Sequence, residues 1–201
     1  GGEFLHGAQE QLGDRIETAT FLAAAAITGG SVTLEACDPS HIAATIARLS
    51  EAGCEVHAGD REVPLSGPVR PAALNVTTEP YPGFPTDMQA QLMAVMCLAE
   101  KSSTIVEKVF PERFMHAAEL VRMGAKIRIA VDTAHIEGVK HLSGAHVMAS
   151  DLRASAALVV AGLAAHGRTT IHRVYHIDRG YEIIDEKLRS LGARVWREKD
   201  A

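Results

Sequence analysis

Cysteine, charge and long apolar runs are all scarce in this chain, and each shortage closes off a class of protein. Three cysteines in 201 residues, Cys37, Cys54 and Cys97, form an odd set with no close pairing and no metal-ligand spacing. A disulfide-stapled miniprotein is excluded, and the three are expected to be buried small side chains in a reduced compartment. Charged residues make up only 22% against 47% hydrophobic, which excludes disorder and provides a core near the upper size of one domain. Lys and Arg number 20 against 25 Asp and Glu, for a net charge of −5 with no basic cluster, so nonspecific binding to nucleic acid or membrane is not expected. The longest apolar run, residues 92–99, falls far short of the roughly 20 residues of a bilayer span. The N-terminal residues lack the basic and apolar regions of a signal peptide. The chain reads as soluble and cytoplasmic.

What the sequence has instead is internal repetition, in three copies at about 14–72, 73–143 and 145–201. The first runs from Asp14 through an Ala-rich helix, Gly29-Gly30, a strand over 31–35, a helix over 41–50 and Ala52-Gly53-Cys54. The second runs from Asp87 through a helix over 89–100, a strand over 104–109, a helix over 113–122 and Met123-Gly124-Ala125. The third runs from Asp151 through a helix over 154–166, a strand over 169–174, a helix over 179–189 and Leu191-Gly192-Ala193. Short alternating stretches follow each closing Gly, at 54–57, 126–130 and 194–196, and predict strands. In the first two copies further strands are expected near 62–65 and 135–139, then at 73–77 and 146–149. The first helix of each copy is apolar nearly all round, so it belongs in an interior. The expected fold is α/β: a pseudo-threefold inside-out barrel of three βαβαββ-type repeats around buried apolar helices, one domain over residues 1–201.

The repeat phase bears on the ends as well. Gly7 of Leu5-His6-Gly7-Ala8 stands seven residues before Asp14, as Gly144 of Leu142-Ser143-Gly144-Ala145 does before Asp151. The chain is therefore expected to start inside a repeat and to stop at Ala201, just past the predicted strand at 194–196 and short of its hairpin partner. That leaves an open sheet edge, and the chain reads as a piece of a longer protein.

A scaffold repeats while a site does not, so the differences between copies locate the chemistry. Arg113 follows Asp87 by 26 positions and Arg179 follows Asp151 by 28, each predicted to open its copy's second helix; copy one has Ser40 and His41 there. Arg15 and Arg153 stand one and two residues after their Asp, where copy two has Met88 and Gln89. Asp87, Arg113, Asp151, Arg153 and Arg179 thus make a candidate anion site with a carboxylate beside it. The plain alternative is that Asp14, Asp87 and Asp151 are helix N-caps, each worth about 1 kcal/mol. Thr86 offers itself as the cap in copy two, which frees Asp87. An Arg at a helix start opposes the macrodipole and wants an anionic partner, for which a neighbouring carboxylate would serve. His116, His172 and His176 show no metal spacing and read as core or surface residues. Gly29-Gly30 and Gly180 read as turn and cap glycines, outside any phosphate-loop pattern.

Phe84-Pro85-Thr86-Asp87-Met88-Gln89-Ala90-Gln91, Glu112-Arg113-Phe114-Met115-His116, Ser150-Asp151-Leu152-Arg153-Ala154-Ser155 and Tyr175-His176-Ile177-Asp178-Arg179-Gly180-Tyr181-Glu182 carry a family resemblance. With Asp14-Arg15-Ile16-Glu17-Thr18, they resemble the UDP-N-acetylglucosamine enolpyruvyl transferases of peptidoglycan synthesis, in order and over essentially the whole chain. The similarity is to the C-terminal half only. It implies a two-domain enzyme, three such repeats in each domain, that closes on its substrates and moves enolpyruvyl from phosphoenolpyruvate to the 3-hydroxyl of the sugar, releasing phosphate. By motif, Asp87 would contact that hydroxyl as general base, with Thr86 beside it, and Val109 would contribute to nucleotide-sugar binding. Arg113 and Arg153 would face the carboxylate of phosphoenolpyruvate, Arg179 its phosphate, and Asp151 would support the cluster. The family's reactive cysteine and lysine–asparagine pair lie in the other half, so that half is the expected partner and no turnover is expected of this chain alone. No cofactor or metal is expected. Pro80-Tyr81-Pro82-Gly83 departs from the family's more usual histidine and alanine. Two other readings stay open: the related shikimate-pathway enolpyruvyl transferase, and a nonenzymatic repeat module that only binds.

Overall fold

The computed structural model describes residues 13–198. The chain begins with α1 (Arg15–Thr28), which Asp14 caps by accepting from Ile16 N at 2.7 Å and Glu17 N at 3.2 Å. Gly29, at φ 65°, ends this helix in the left-handed conformation that a Cβ disfavours. β1 (Ser31–Glu35) and a 3-10 turn at Pro39–Ile42 lead into α2 (Ala43–Glu51), β2 (Glu55–Val56), β3 (Glu62–Ser66) and β4 (Asn75–Thr77). The same order then recurs: α3 (Gln89–Met96), β5 (Ser102–Val106), α4 (Met115–Arg122), β6 (Lys126–Ala130), β7 (Thr133–Glu137) and β8 (His146–Met148). Last come α5 (Leu152–Ala164), β9 (Thr170–His172), a 3-10 helix at Val174–Arg179 and α6 (Ile184–Ser190).

α1, α3 and α5 pack on one another at the centre. They have no polar face to keep in water: every residue of α3 is buried, as are ten of the fourteen in α1. The sheets lie outside them. β3 sits between β1 and β2 in an antiparallel sheet; a second sheet runs β4-β5-β7-β6. In that second sheet β4 pairs parallel with β5, so the last strand of one helix–strand unit completes the sheet of the next. β8 does the same for β9. Because β4 and β8 each lead onward into the N-terminus of a central helix, this handover brings the starts of α3 and α5 beside loops from neighbouring sheets. At the opposite end of α3, Arg70 binds the carbonyls of Leu98 and Ala99 at 3.1 and 2.8 Å. Gly138 passes so close to Ala99 O that no Cβ could be accommodated there.

Three expected elements differ. Arg113 lies two residues ahead of α4 rather than opening it, because residues 110–114 form tight turns in which Arg113 N donates to Phe110 O and Phe114 N to Glu112 O. Arg179 closes a 3-10 helix instead of starting a helix over 179–189. Gly180 interrupts the chain there, packed so tightly on Leu152 that a Cβ would sit 2.8 Å from its side chain, and α6 starts only at Ile184. Residues 194–196 alternate like a strand but form none. No neighbouring strand among the described residues bonds them, and Ala193 and Val195 instead pack on a small cluster around Tyr181, Ile184 and Leu188. The motif Leu5-His6-Gly7-Ala8 and the terminus at Ala201 lie outside the described residues.

Candidate active site

Thr78 N donates to Val106 O at 2.8 Å, extending the β4–β5 pairing, and the chain then turns through Pro80-Tyr81-Pro82-Gly83 with Glu79 N bonded to Phe84 O. Buried Phe84 and Met88 anchor either side of a 3-10 turn at Thr86–Met88. That turn carries Asp87 to the head of α3, where its carboxylate caps nothing and is free for other work. Asp87 Oδ1 accepts from Arg113 Nη1 at 3.0 Å and pairs with Arg153 Nε at 3.1 Å. Oδ2 accepts no hydrogen bond from the described residues, and the side chain is one-third exposed, at 32%. Burial pushes the Asp87 carboxyl up, but the hydrogen bond and charge of Arg153, with Arg113 behind, outweigh it and hold Asp87 below the usual aspartate value. Arg113 also donates to Thr86 Oγ1 at 3.2 Å and stacks over the Phe110 ring at 5.4 Å.

The predicted residues thus divide. Asp87, Thr86, Arg113 and Arg153 come together. Asp151 is the N-cap of α5, accepting from Arg153 N at 2.8 Å and Ala154 N at 2.9 Å; it supports Arg153 through the backbone and does not join the ion pairs. Thr86 is no cap, since its hydroxyl donates to Glu107 Oε2 at 2.9 Å. Val109 contributes its N–H, which donates to Glu107 Oε1 at 2.9 Å. Arg179 is exposed and has no hydrogen bond or ion pair among the described residues, although the contact of Gly180 with Leu152 keeps it beside the start of α5. Arg15 is likewise unpaired, exposed at the start of α1. His116 is a core residue of α4, pushed down to about 4 by burial, with Asp151 raising it and Arg113 lowering it further. Burial also lifts the Cys54 thiol to about 11 and the Cys97 thiol to about 12, so neither is a ready nucleophile.

Two residues outside the predicted set underpin the site. Glu107, fully buried at the end of β5, accepts from Thr78 Oγ1 at 2.6 Å and from the N–H groups of Val109 and Phe110, both at 2.9 Å, as well as from Thr86. It ties the Asp87 turn to the Val109–Arg113 loop. Tyr181, also buried, lies within 2.9 Å of Thr20 Oγ1 and accepts from Gln91 Nε2 at 3.4 Å, and its oxygen stabilises the Arg153 charge. One hydroxyl therefore joins α1 and α3 beneath the guanidinium on α5. Tyr181→Phe is expected to lower stability by only about 1 kcal/mol in a denaturant titration. Thr20 keeps its bond to Ile16 O, and Gln91 keeps its bond to Thr20.

This is a carboxylate held at one oxygen by two guanidiniums that retain spare N–H donors, an arrangement suited to gripping a small polyanion beside a base. The profile of the EPSP synthase (3-phosphoshikimate 1-carboxyvinyltransferase) family matches residues 1–188. The chain belongs to that family. Among its curated relatives, a UDP-N-acetylglucosamine 1-carboxyvinyltransferase from Anaeromyxobacter sp. (strain Fw109-5) is 57% identical over 188 residues, 94% of this chain and 44% of the relative. The chain spans about half the length of the curated relatives it matches. Among solved structures, the enolpyruvyl transferase NikO from Streptomyces tendae superposes with a TM-score of 0.79 at 29% identity, over 89% of this chain and 42% of that one. EPSP synthase from Acinetobacter baumannii shares the fold at a TM-score of 0.62 and 19% identity, over 79% of this chain and 38% of that one. The architecture is the enolpyruvyl transferase fold. No helix among the described residues is long and apolar enough to cross a membrane.

Proposed function

We propose that this chain is one domain, in three repeats, of a cytoplasmic UDP-N-acetylglucosamine 1-carboxyvinyltransferase, and that it supplies the base and the anion grip for a committed step of peptidoglycan synthesis. The observation that carries the reading is the divided Asp87 carboxylate: Oδ1 bound to two arginines, Oδ2 open. The sugar 3-hydroxyl meets Oδ2 and gives it a proton as its oxygen adds to the enolpyruvyl carbon, while the opening double bond takes a proton onto its methylene carbon from a donor in the complementary half. Loss of a proton from that methyl carbon then restores the double bond as the bond to the phosphate oxygen breaks, and phosphate leaves. Arg113 and Arg153 take the substrate carboxylate, Arg179 takes the phosphate, and Val109 in its Glu107-ordered loop meets the nucleotide sugar.

Substrate binding also activates the base. In the free chain the two guanidiniums lower Asp87, which makes it a weak base. When phosphoenolpyruvate draws their spare charge and closure excludes water, burial is left to dominate and Asp87 becomes more basic. The remaining half of the enzyme brings the rest of the chemistry, so it is the required partner.

A phosphate-release assay with phosphoenolpyruvate and UDP-N-acetylglucosamine tests the proposal. The expected result is no turnover by the 201-residue chain alone and turnover on mixing it with the complementary half of a relative. Turnover by the chain alone, or silence from a mixture whose halves associate, overturns it. Activity with shikimate 3-phosphate in place of the nucleotide sugar would instead favour the acceptor in the family's name, for which the 57% identical relative gives no support.

A further inference from the structure

Away from the Asp–Arg cluster, two imidazoles face each other across the small parallel sheet. His146 on β8 and His172 on β9 bring Nδ1 and Nε2 to 3.2 Å. Their rings stack at 5.5 Å between centroids with 21° between planes. His146 is exposed and His172 partly so, so both are open to solvent and can adjust by small side-chain rotations. Two imidazole nitrogens at this distance are close enough for one cation to bind both. For a metal–nitrogen bond of about 2.0–2.1 Å, a 3.2 Å separation subtends roughly 100° at the metal, between octahedral and tetrahedral values. Imidazole nitrogen selects zinc, nickel or copper over magnesium or calcium.

The position gives such an ion something to do. β8 and β9 form a sheet of two strands only, joined over three residue pairs. Two strands alone are marginal. β8 runs through Ala149 and Ser150 into Asp151 and Arg153, and β9 runs through Arg173 into the 3-10 helix that ends at Arg179. The two strands therefore deliver the two arginines that the site needs in register. We propose that His146 and His172 chelate an exchangeable divalent transition-metal ion that clips β8 to β9 and fixes the Arg179 arm against the start of α5. Among the described residues no group of three or more His, Cys, Asp or Glu is placed to hold a metal, so water fills the other coordination positions.

The second stacked pair, His141 and His166, is a built-in control, with rings parallel to 2° at 4.9 Å and no hydrogen bond between their nitrogens. Calorimetric titration of the untagged chain with Ni²⁺, and separately Zn²⁺, is expected to show one saturable site. His146→Ala and His172→Ala are each expected to weaken it at least about tenfold, while His141→Ala leaves it unchanged. Hydrogen exchange on the Ala149 amide, which bonds His172 O at 3.1 Å, is expected to slow when metal is present. No saturable binding, or binding indifferent to both substitutions, overturns the site. Tight binding with unchanged Ala149 exchange overturns the clip. None of these readouts depends on enolpyruvyl transfer, and circular dichroism of the surface variants confirms that they fold.

Discussion

Asp87→Asn in the assembled transferase is expected to lower kcat by about 10²–10⁴-fold, the usual range for losing a general base, while phosphoenolpyruvate binds as before or more tightly. The amide keeps the shape and can still accept from Arg113 and Arg153 through its carbonyl, but it takes no proton from the sugar hydroxyl. It also leaves two guanidiniums without their resident countercharge, which favours an incoming anion. A fall in substrate affinity with kcat preserved would mean that Asp87 only orders the arginines. The pH dependence separates these roles further. Asp87 is lowered in the folded chain, so its ion pairs contribute stability that is fully present above the ordinary aspartate value of about 3.9 and is lost as pH falls through the folded value beneath it. An NMR titration of the Asp87 carboxyl is expected to show a midpoint below the ordinary one, moving upward in Arg153→Gln. A midpoint indifferent to Arg153 would remove the electrostatic basis of the proposed activation.

The contact between Asp87, Arg113 and Arg153 was legible in the sequence because a repeat carries position: residues at like offsets in successive copies sit at like ends of like elements. That logic placed Arg179 less well. Its offset assumed that the second helix of copy three starts as in copy two, and the close packing of Gly180 on Leu152 winds residues 174–179 into a 3-10 helix instead. The strand expected at 194–196 fails for a different reason. Alternation specifies which side chains face inward, but a strand exists only where a neighbour receives its backbone groups. Glu107 left a readable trace, since Ser103, Ile105 and Glu107 share strand parity and all three are buried. An acidic residue at an inward position of a strand end has to find donors. Which donors depends on the turn at residues 78–88 returning across β5, a tertiary fact with no local signature. The hydroxyl of Tyr181 is similar: it lies within a motif that carries the family resemblance, but its partners come from helices 161 and 90 residues away in the chain.

Glu107→Ala is expected to destabilise the fold strongly. Four donors lose their acceptor: the hydroxyls of Thr78 and Thr86 and the N–H groups of Val109 and Phe110. An unsatisfied buried polar group costs about 1–3 kcal/mol. With water entering the vacated space to satisfy part of the set, the expected loss is about 3–5 kcal/mol, read as the shift in denaturant midpoint at unchanged slope. Glu107→Gln distinguishes structure from positioning. Its carbonyl replaces Oε1 and keeps three of the four bonds, so stability stays within about 1 kcal/mol. Its amide nitrogen, however, donates where Oε2 accepted. Thr86 Oγ1 must then receive that N–H together with Arg113 Nη1, and its own proton turns out toward Asp87. A hydroxyl donating to the carboxylate lowers its basicity, so kcat is expected to fall about tenfold with KM for both substrates little changed. A Gln variant with full kcat would reduce Glu107 to a structural plug, whereas an Ala variant of native stability would mean that the four bonds do not hold the loop at all.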